Sequence, residues 1–190
     1  EGNVDSRFYS DARRGGPEFY GLNPDTFRLL QNPQFRTAAP LGVPHSNDFR
    51  HYLINTLQGF DPLLPASYKR EVERFGKFES NRLFSPDPDN EAMLRNFGVR
   101  WVMTIDGELQ TRLRKDSRYV PIGPDGYFFK VFELKNALPA YRWAGEVRMK
   151  EWTAEVHDFD VTSANGGRFV LLEQRYPGWT ATIDGRPAPI

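Results

Sequence analysis

The stretch from Tyr176 to Ile190 constrains the fold more tightly than any other. Tyr176-Pro177-Gly178-Trp179 is a turn, with proline presetting φ at its second position and glycine supplying a positive φ at the third. Trp179, Ala181 and Ile183 then alternate with Thr180 and Thr182, the period of a half-buried strand. Asp184-Gly185 suits a two-residue hairpin loop, because both positions accept positive φ. The return segment holds Pro187 and Pro189, which cannot donate to a ladder and so belong on an edge. The pattern predicts a terminal hairpin whose Trp179, Ala181 and Ile183 side is shut inside a sheet sandwich.

With 190 residues the chain suffices for one domain or two small ones. A chain of this size buries roughly 70% of the surface its unfolded form exposes. Its apolar content of 39% is modest, and the 14% of aromatic residues supplies the large side chains such a core needs. Formal net charge is zero, so no overall field draws in nucleic acid, and none is expected as a partner. Without cysteine there is neither a disulfide nor a thiolate metal site. No apolar run reaches the ~18 residues of a membrane span, and Glu1 opens no signal-peptide pattern. Taken alone, the chain is expected to be soluble.

Residues 1 to about 24, rich in Gly, Arg, Asp and Ser, read as a flexible arm. Asp25 is expected to cap a helix over Thr26 to Gln31 that Pro33 stops. Phe35 to Ala38 reads as a strand, whereas Phe49 to Leu57 fits either helix or strand. Asp61 and Pro62 open a helix whose stripe is Leu64, Tyr68, Val72 and Phe75, ended by Gly76. Asp89 or Asn90 caps a helix over Glu91 to Phe97, Gly98 ends it, and Val99 to Ile105 follows as a buried strand. A short helix is expected over Leu109 to Lys115, then strands Tyr119 to Ile122 and Tyr127 to Leu134 around a four-residue loop. The second is apolar on both sides and therefore central. After Pro139 the chain is extended from Ala140 to Met149, and from Trp152 it is all β. The apolar face changes parity near His157-Asp158, which predicts a bulge there. Asn165-Gly166-Gly167 reads as a hairpin turn, and Phe169 to Leu172 as a strand covered on both faces.

Few residues carry chemistry. His45, His51 and His157 lack metal-ligand spacing. Asp87-Pro-Asp-Asn-Glu91 resembles a calcium loop only superficially, lacking the central glycine and the distal glutamate, and reads as a turn with a helix cap. Asp158 and Asp160, two apart on a strand, share a face and could act as an acid–base pair or hold a metal-bound sugar nucleotide, against the plainer reading of a solvated face. Among the tryptophans, Trp101 and Trp179 lie among apolar residues and read as core. Trp143 and Trp152 flank a polar stretch, so one of them could line a glycan groove. Arg112, Arg114, Lys115 and Arg118 form a basic cluster that could meet lipid phosphates, or else a solvated surface. There is no serine–histidine–aspartate order, phosphate loop or dinucleotide fingerprint, and no cofactor, metal or catalytic residue is assigned.

Four blocks in order carry a resemblance: Gly59-Phe-Asp-Pro-Leu63, Leu94 to Thr104, Val131 to Ala140, and Tyr176 to Gly185. Over residues 35 to 190 the chain resembles the extracytoplasmic part of bacterial YfhO-type membrane proteins. The resemblance implies a polytopic parent similar to multi-pass lipid-linked glycosyltransferases, with this segment on the outer face of the cytoplasmic membrane. Catalytic carboxylates in such enzymes lie beside early membrane helices, so none transfers to this chain. The family continues past the Asp-Gly hairpin, which implies an incomplete sheet edge near Ile190. The implied partners are the rest of that membrane protein and a lipid-linked sugar or envelope glycan. The residues themselves offer Trp143, Trp152, Asp158 and Asp160 as candidate contacts for such a glycan. The expected fold is α+β, with an α/β portion over 25–140 and an antiparallel β-sandwich-like portion over 141–190. Its expected role is to position a sugar donor or acceptor without catalysis. The alternatives are a carbohydrate- or protein-interaction module with no tie to transfer, and a hydrolase using Asp158 and Asp160.

Overall fold

The run Val99-Arg-Trp-Val-Met-Thr104 has apolar residues on both parities, so its strand must be covered on both faces. A computed structural model describes residues 22–40, 54–57, 66–74, 76–78, 84–125, 128–153, 155–173 and 178–190. In it this run is a central strand, β4 (Val99–Thr104), of a four-stranded mixed sheet. On one side β4 pairs in parallel with β1 (Arg36–Ala38), and Thr37 forms a further parallel bridge to Thr56. On the other side it pairs antiparallel with β6 (Lys130–Leu134), which pairs antiparallel with β5 (Tyr119–Ile122). The strand β6 is therefore central, as its two apolar faces require.

Each face of the sheet buries its own core. Beneath one face Val102, Phe132 and Leu134 meet Met93 and Leu94 of helix α3 (Glu91–Asn96), Leu109 and Leu113 of α4 (Gly107–Lys115), and Val72 of α2 (Ala66–Val72). Beneath the other, Trp101, Met103 and Val131 meet Phe27 and Leu30 of α1 (Pro24–Leu30), with Leu22, Phe35 and Ile54. Trp101, 2% exposed, is core as expected. A hairpin of β2 (Gly76–Phe78) and β3 (Phe84–Pro86) adds Phe84 to the first core. The fold is α+β.

Local chemistry sets the boundaries. Asn23, not Asp25, caps α1: its carboxamide oxygen accepts from the N–H groups of Asp25 and Thr26, and Pro24 takes the first turn. The helix thus starts earlier than Thr26, and Leu22, inside the expected arm, is buried. Asn90 caps α3 through Met93 N–H, and Asp106 caps α4 through Leu109 N–H. Gly98 ends the α3 turn at φ +71, and a Cβ there would lie 3.0 Å from Ala140 Cα. Gly76 does not terminate α2 but opens β2. The caps Asp61 and Pro62 lie outside the described residues, as do His45, His51 and almost all of the expected arm. The strand expected from Tyr127 begins at Lys130 instead, and Phe128 is 65% exposed in the connection.

The C-terminal part departs most from expectation. No sandwich forms among the described residues. Three separate two-stranded sheets do: β7 (Tyr141–Arg142) with β10 (Val170–Leu171), β8 (Glu146–Trp152) with β9 (His157–Thr162), and β11 (Ala181–Ile183) with β12 (Arg186–Ala188). The segment after Asn165-Gly166-Gly167 thus returns to β7, so these residues do not close a hairpin onto β9. Every buried hydrophobic side chain described lies at or before Tyr141. The Asp184-Gly185 hairpin is present, with φ of 49° and 74°, but Ile183 is 66% exposed and Trp179 only partly covered. The period-two pattern specified the ladder correctly, but it could not specify a covering layer.

Two arginines staple this part to the sheet domain. The Arg36 guanidinium donates to the carbonyls of Phe97 and Leu172 and pairs with Glu173 at 3.0 Å. Arg142 donates to the carbonyls of Arg95 and Pro139. Both thus satisfy carbonyls at the C-terminal end of α3, where orphan acceptors and the helix dipole favour a cation. Backbone bonds from Ala140 N–H to Gln34 O and from Leu172 N–H to Ala140 O complete the joint.

Candidate functional site

The β8–β9 ribbon separates two kinds of chemistry by strand parity. Directly paired residues share a face. Val147 with Val161, Met149 with Phe159, and Trp152 with His157 face one way; Arg148 with Asp160 and Glu151 with Asp158 face the other. The register slips between Met149 and Glu151, so the irregularity lies on β8 and not at His157-Asp158. The parity change there has a different cause: Val156 belongs to the turn joining the strands, held by Thr153 N–H to Val156 O at 2.9 Å.

The inward face carries a continuous row of rings. Tyr141 packs on Phe159 at 4.8 Å between centroids and on Trp152 at 6.2 Å. Phe159 meets Phe169 at 5.0 Å, and Phe169 meets Trp143 at 6.4 Å. In the other direction Trp152 meets His157 at 4.1 Å with the rings tilted by 49°, and His157 meets Trp179 edge-on at 5.1 Å and 82°. Tyr141, 4% exposed, is buried at the joint with the sheet domain, while the other six rings are only partly covered. Trp143 is spent on the fold: its indole N–H donates to Thr162 O at 3.1 Å, and its ring lies 3.6 Å from where a Cβ on Gly167 would be.

His157 is the polar member of the row. Its Nδ1 is buried and finds no hydrogen-bond partner of acceptable geometry among the described residues. Burial pushes its pKa below the ordinary imidazole value, while Glu173 and the Val156 backbone act weakly the other way. The ring is accordingly neutral at pH 7.

Asp158 and Asp160 share a face, as their spacing requires, but it is the face away from Trp143 and Trp152. The four candidate residues do not form one site. Lys150, displaced outward by the bulge, bridges both carboxylates, at 3.4 Å to Asp158 and 3.0 Å to Asp160. These hydrogen bonds raise the lysine pKa, and all three side chains are exposed. A carboxylate pair tied to a cation on an open ribbon lacks the enclosure that acid–base chemistry requires.

The basic cluster is largely neutralised. Arg112 pairs with Asp89 at 3.3 Å, Arg114 with Asp125 at 2.6 Å, and Arg118 with Asp116 at 2.5 Å. Hydrogen bonds from Arg118 hold the Asp116 carboxyl below its usual range despite an opposing burial effect. Asp87 to Glu91 forms a turn and helix cap. Surface depressions on α4 and on the β11–β12 hairpin are open and bring no aromatic rings together.

The sequence pattern kept Trp179 and His157 out of the candidate groove, because Trp179 lies among apolar residues and His157 has no metal-ligand spacing. Their period-two positions gave a signal for each strand but none for which strands would meet. No protein-family model, curated protein or solved structure matches this chain.

Proposed function

We propose that this chain is a non-catalytic recognition domain of a membrane-embedded envelope protein of the YfhO type. It acts outside the cytoplasmic membrane and positions a lipid-linked sugar or an envelope glycan for a transferase. One observation carries the contact part of this reading: a continuous row of five partly covered rings, Phe169, Phe159, Trp152, His157 and Trp179, along one face of the β8–β9 ribbon. Aromatic rings desolvate the apolar face of a sugar, and half-covered rings at a built edge are placed to do so. The lysine-bridged Asp158 and Asp160 favour recognition over hydrolysis. No helix among the described residues is long and apolar enough to cross a membrane, so an anchor would lie elsewhere in such a parent.

Two experiments test the proposal. A topology reporter fused at this segment in the full-length gene is expected to read the outer side of the membrane, and a cytoplasmic signal would refute the placement. Titration with envelope saccharides is expected to change tryptophan fluorescence, and an unchanged spectrum at millimolar ligand refutes the glycan role. If binding occurs but the gene encodes no membrane spans, the second reading stands: a carbohydrate-binding module without transfer chemistry.

A further inference from the structure

We propose that Asn165 is a self-modification site: its carboxamide condenses with the backbone nitrogen of Gly166, and the product opens to an isoaspartate that releases Trp143. The reaction needs no ligand, so it stands apart from the glycan reading. Asn165 is the one asparagine of the chain that is followed by glycine. Such a pair reacts when the nitrogen has no Cβ beside it, the carboxamide is free to swing onto that nitrogen, and the backbone can turn.

One turn meets all three conditions. Residues 163–169 join β9 to β10 outside any ladder, and Asn165, Gly166 and Gly167 are exposed. Neither the Asn165 carboxamide nor the Gly166 N–H has a hydrogen-bond partner among the described residues. A Cβ built on Gly166 would meet nothing within 4 Å, so open space surrounds the nucleophile. The Ser163 hydroxyl accepts from Asn165 N–H at 3.4 Å and donates to Gly166 O at 2.9 Å. It holds the turn together without occupying either reacting group. Two aspartate–glycine pairs lack this freedom. Asp106 caps α4, its carboxylate 2.6 Å from Leu109 N, and Asp184 sits at φ 49° in a hairpin pinned by the Ile183–Arg186 pair.

The chemistry balances with water alone. Hydroxide takes the Gly166 amide proton, and the nitrogen bonds to Asn165 Cγ. The Cγ–Nδ2 bond then breaks, and with a proton from water ammonia leaves a succinimide behind. Water attack at the main-chain carbonyl breaks its bond to the Gly166 nitrogen and routes the chain through Cγ, giving isoaspartate. Attack at Cγ gives ordinary aspartate. The isoaspartate route inserts Cβ into the backbone, and the turn is anchored to Trp143 at both ends. Thr162 O accepts the indole N–H at 3.1 Å, and a Cβ on Gly167 would stand 3.6 Å from the ring. One more backbone atom between these anchors moves Gly167 off the ring.

The full chain is aged at mildly alkaline pH and followed by peptide-mapping mass spectrometry, with isoaspartate counted by an isoaspartyl methyltransferase. Loss of the amide is expected at Asn165, at a rate within about tenfold of a free peptide of residues 163–169, because the turn opposes it no more than a mobile loop does. Asn165→Gln must close a larger ring and is expected to react at least about tenfold more slowly. A folded chain that reacts more than about tenfold slower than the peptide would overturn the site. NMR reads the consequence. The isoaspartate product is expected to shift the Trp143 indole N–H resonance, while Asn165→Asp, which adds the charge without the extra backbone atom, leaves it in place. An unshifted resonance in the product would overturn the release of Trp143, and an equal shift in Asn165→Asp would overturn backbone lengthening as its cause.

Discussion

Gly145 offers the sharpest test of the ribbon geometry. A Cβ at this position would lie 2.0 Å from the carbonyl oxygen of Thr162 and 3.2 Å from Ser163 Cα. An ordinary carbon–oxygen contact is about 3.3 Å, so Gly145→Ala must drive the strands apart by more than ~1 Å at the entrance to β8. The same carbonyl accepts the Trp143 indole N–H. The substitution therefore adds overpacking of about 1–3 kcal/mol to the loss of a hydrogen bond of about 0.5–1.5 kcal/mol. A sum of roughly 2–4 kcal/mol corresponds to about a thirty- to several-hundred-fold rise in local opening of the ribbon. The effect is expected to be local, because the clash involves backbone outside both cores. Hydrogen exchange by NMR is the assay. Amides of β8 and β9 should lose protection by that factor and the Trp143 indole resonance should shift, while β4 and β6 amides keep theirs. Unchanged protection in β8 and β9 would refute the close approach and the ring arrangement that depends on it.

Gly98→Ala places a side chain at φ +71 against the Ala140 backbone, so it should cost about 2 kcal/mol or more and lower the urea midpoint. Arg36→Ala leaves the carbonyls of Phe97 and Leu172 without their donor. It should destabilise by about 2–4 kcal/mol and release the ribbon to limited proteolysis before the sheet domain. Burial depresses the His157 pKa, so its contribution to stability is complete above the ordinary imidazole value of about 6.5 and is lost progressively as pH falls from there to the depressed folded value. His157→Phe should flatten that limb of the urea midpoint against pH. The Asp116 pKa is also depressed, so its contribution is present above about pH 3.9 and disappears as pH falls through its lower folded value. Asp116→Asn should remove that acid-side slope, and an unchanged slope would count against the Arg118 pairing.

Local chemistry made much of the sheet domain readable in advance. The Asp89-Asn90 pair, Gly98 and the two-faced Val99 run announced the helix, its stop and the buried strand that follows, because each rule acts within a few residues, and Asn90 proved to be the cap. Asp25 misled because Asn23, two residues earlier, caps equally well and is followed by Pro24, which suits the first helical position. The bulge was misplaced because the parity of Val156 was counted as strand when the residue lies in a turn. In the ribbon, spacing correctly put Asp158 and Asp160 on one face, but only the register showed that Lys150 reaches both.

The amino-acid sequence by itself determined the α+β class, the two-sided burial of β4 and β6 and the positive-φ hairpin at Asp184-Gly185, since period and turn chemistry are properties of short segments. Only the tertiary structure decided that Trp152, His157 and Trp179 meet, that the carboxylate pair looks the other way, and that the terminal hairpin leaves Ile183 in water. Those outcomes depend on which distant strands pair and what covers them, and strand alternation carries no record of the partner that fills the opposite face.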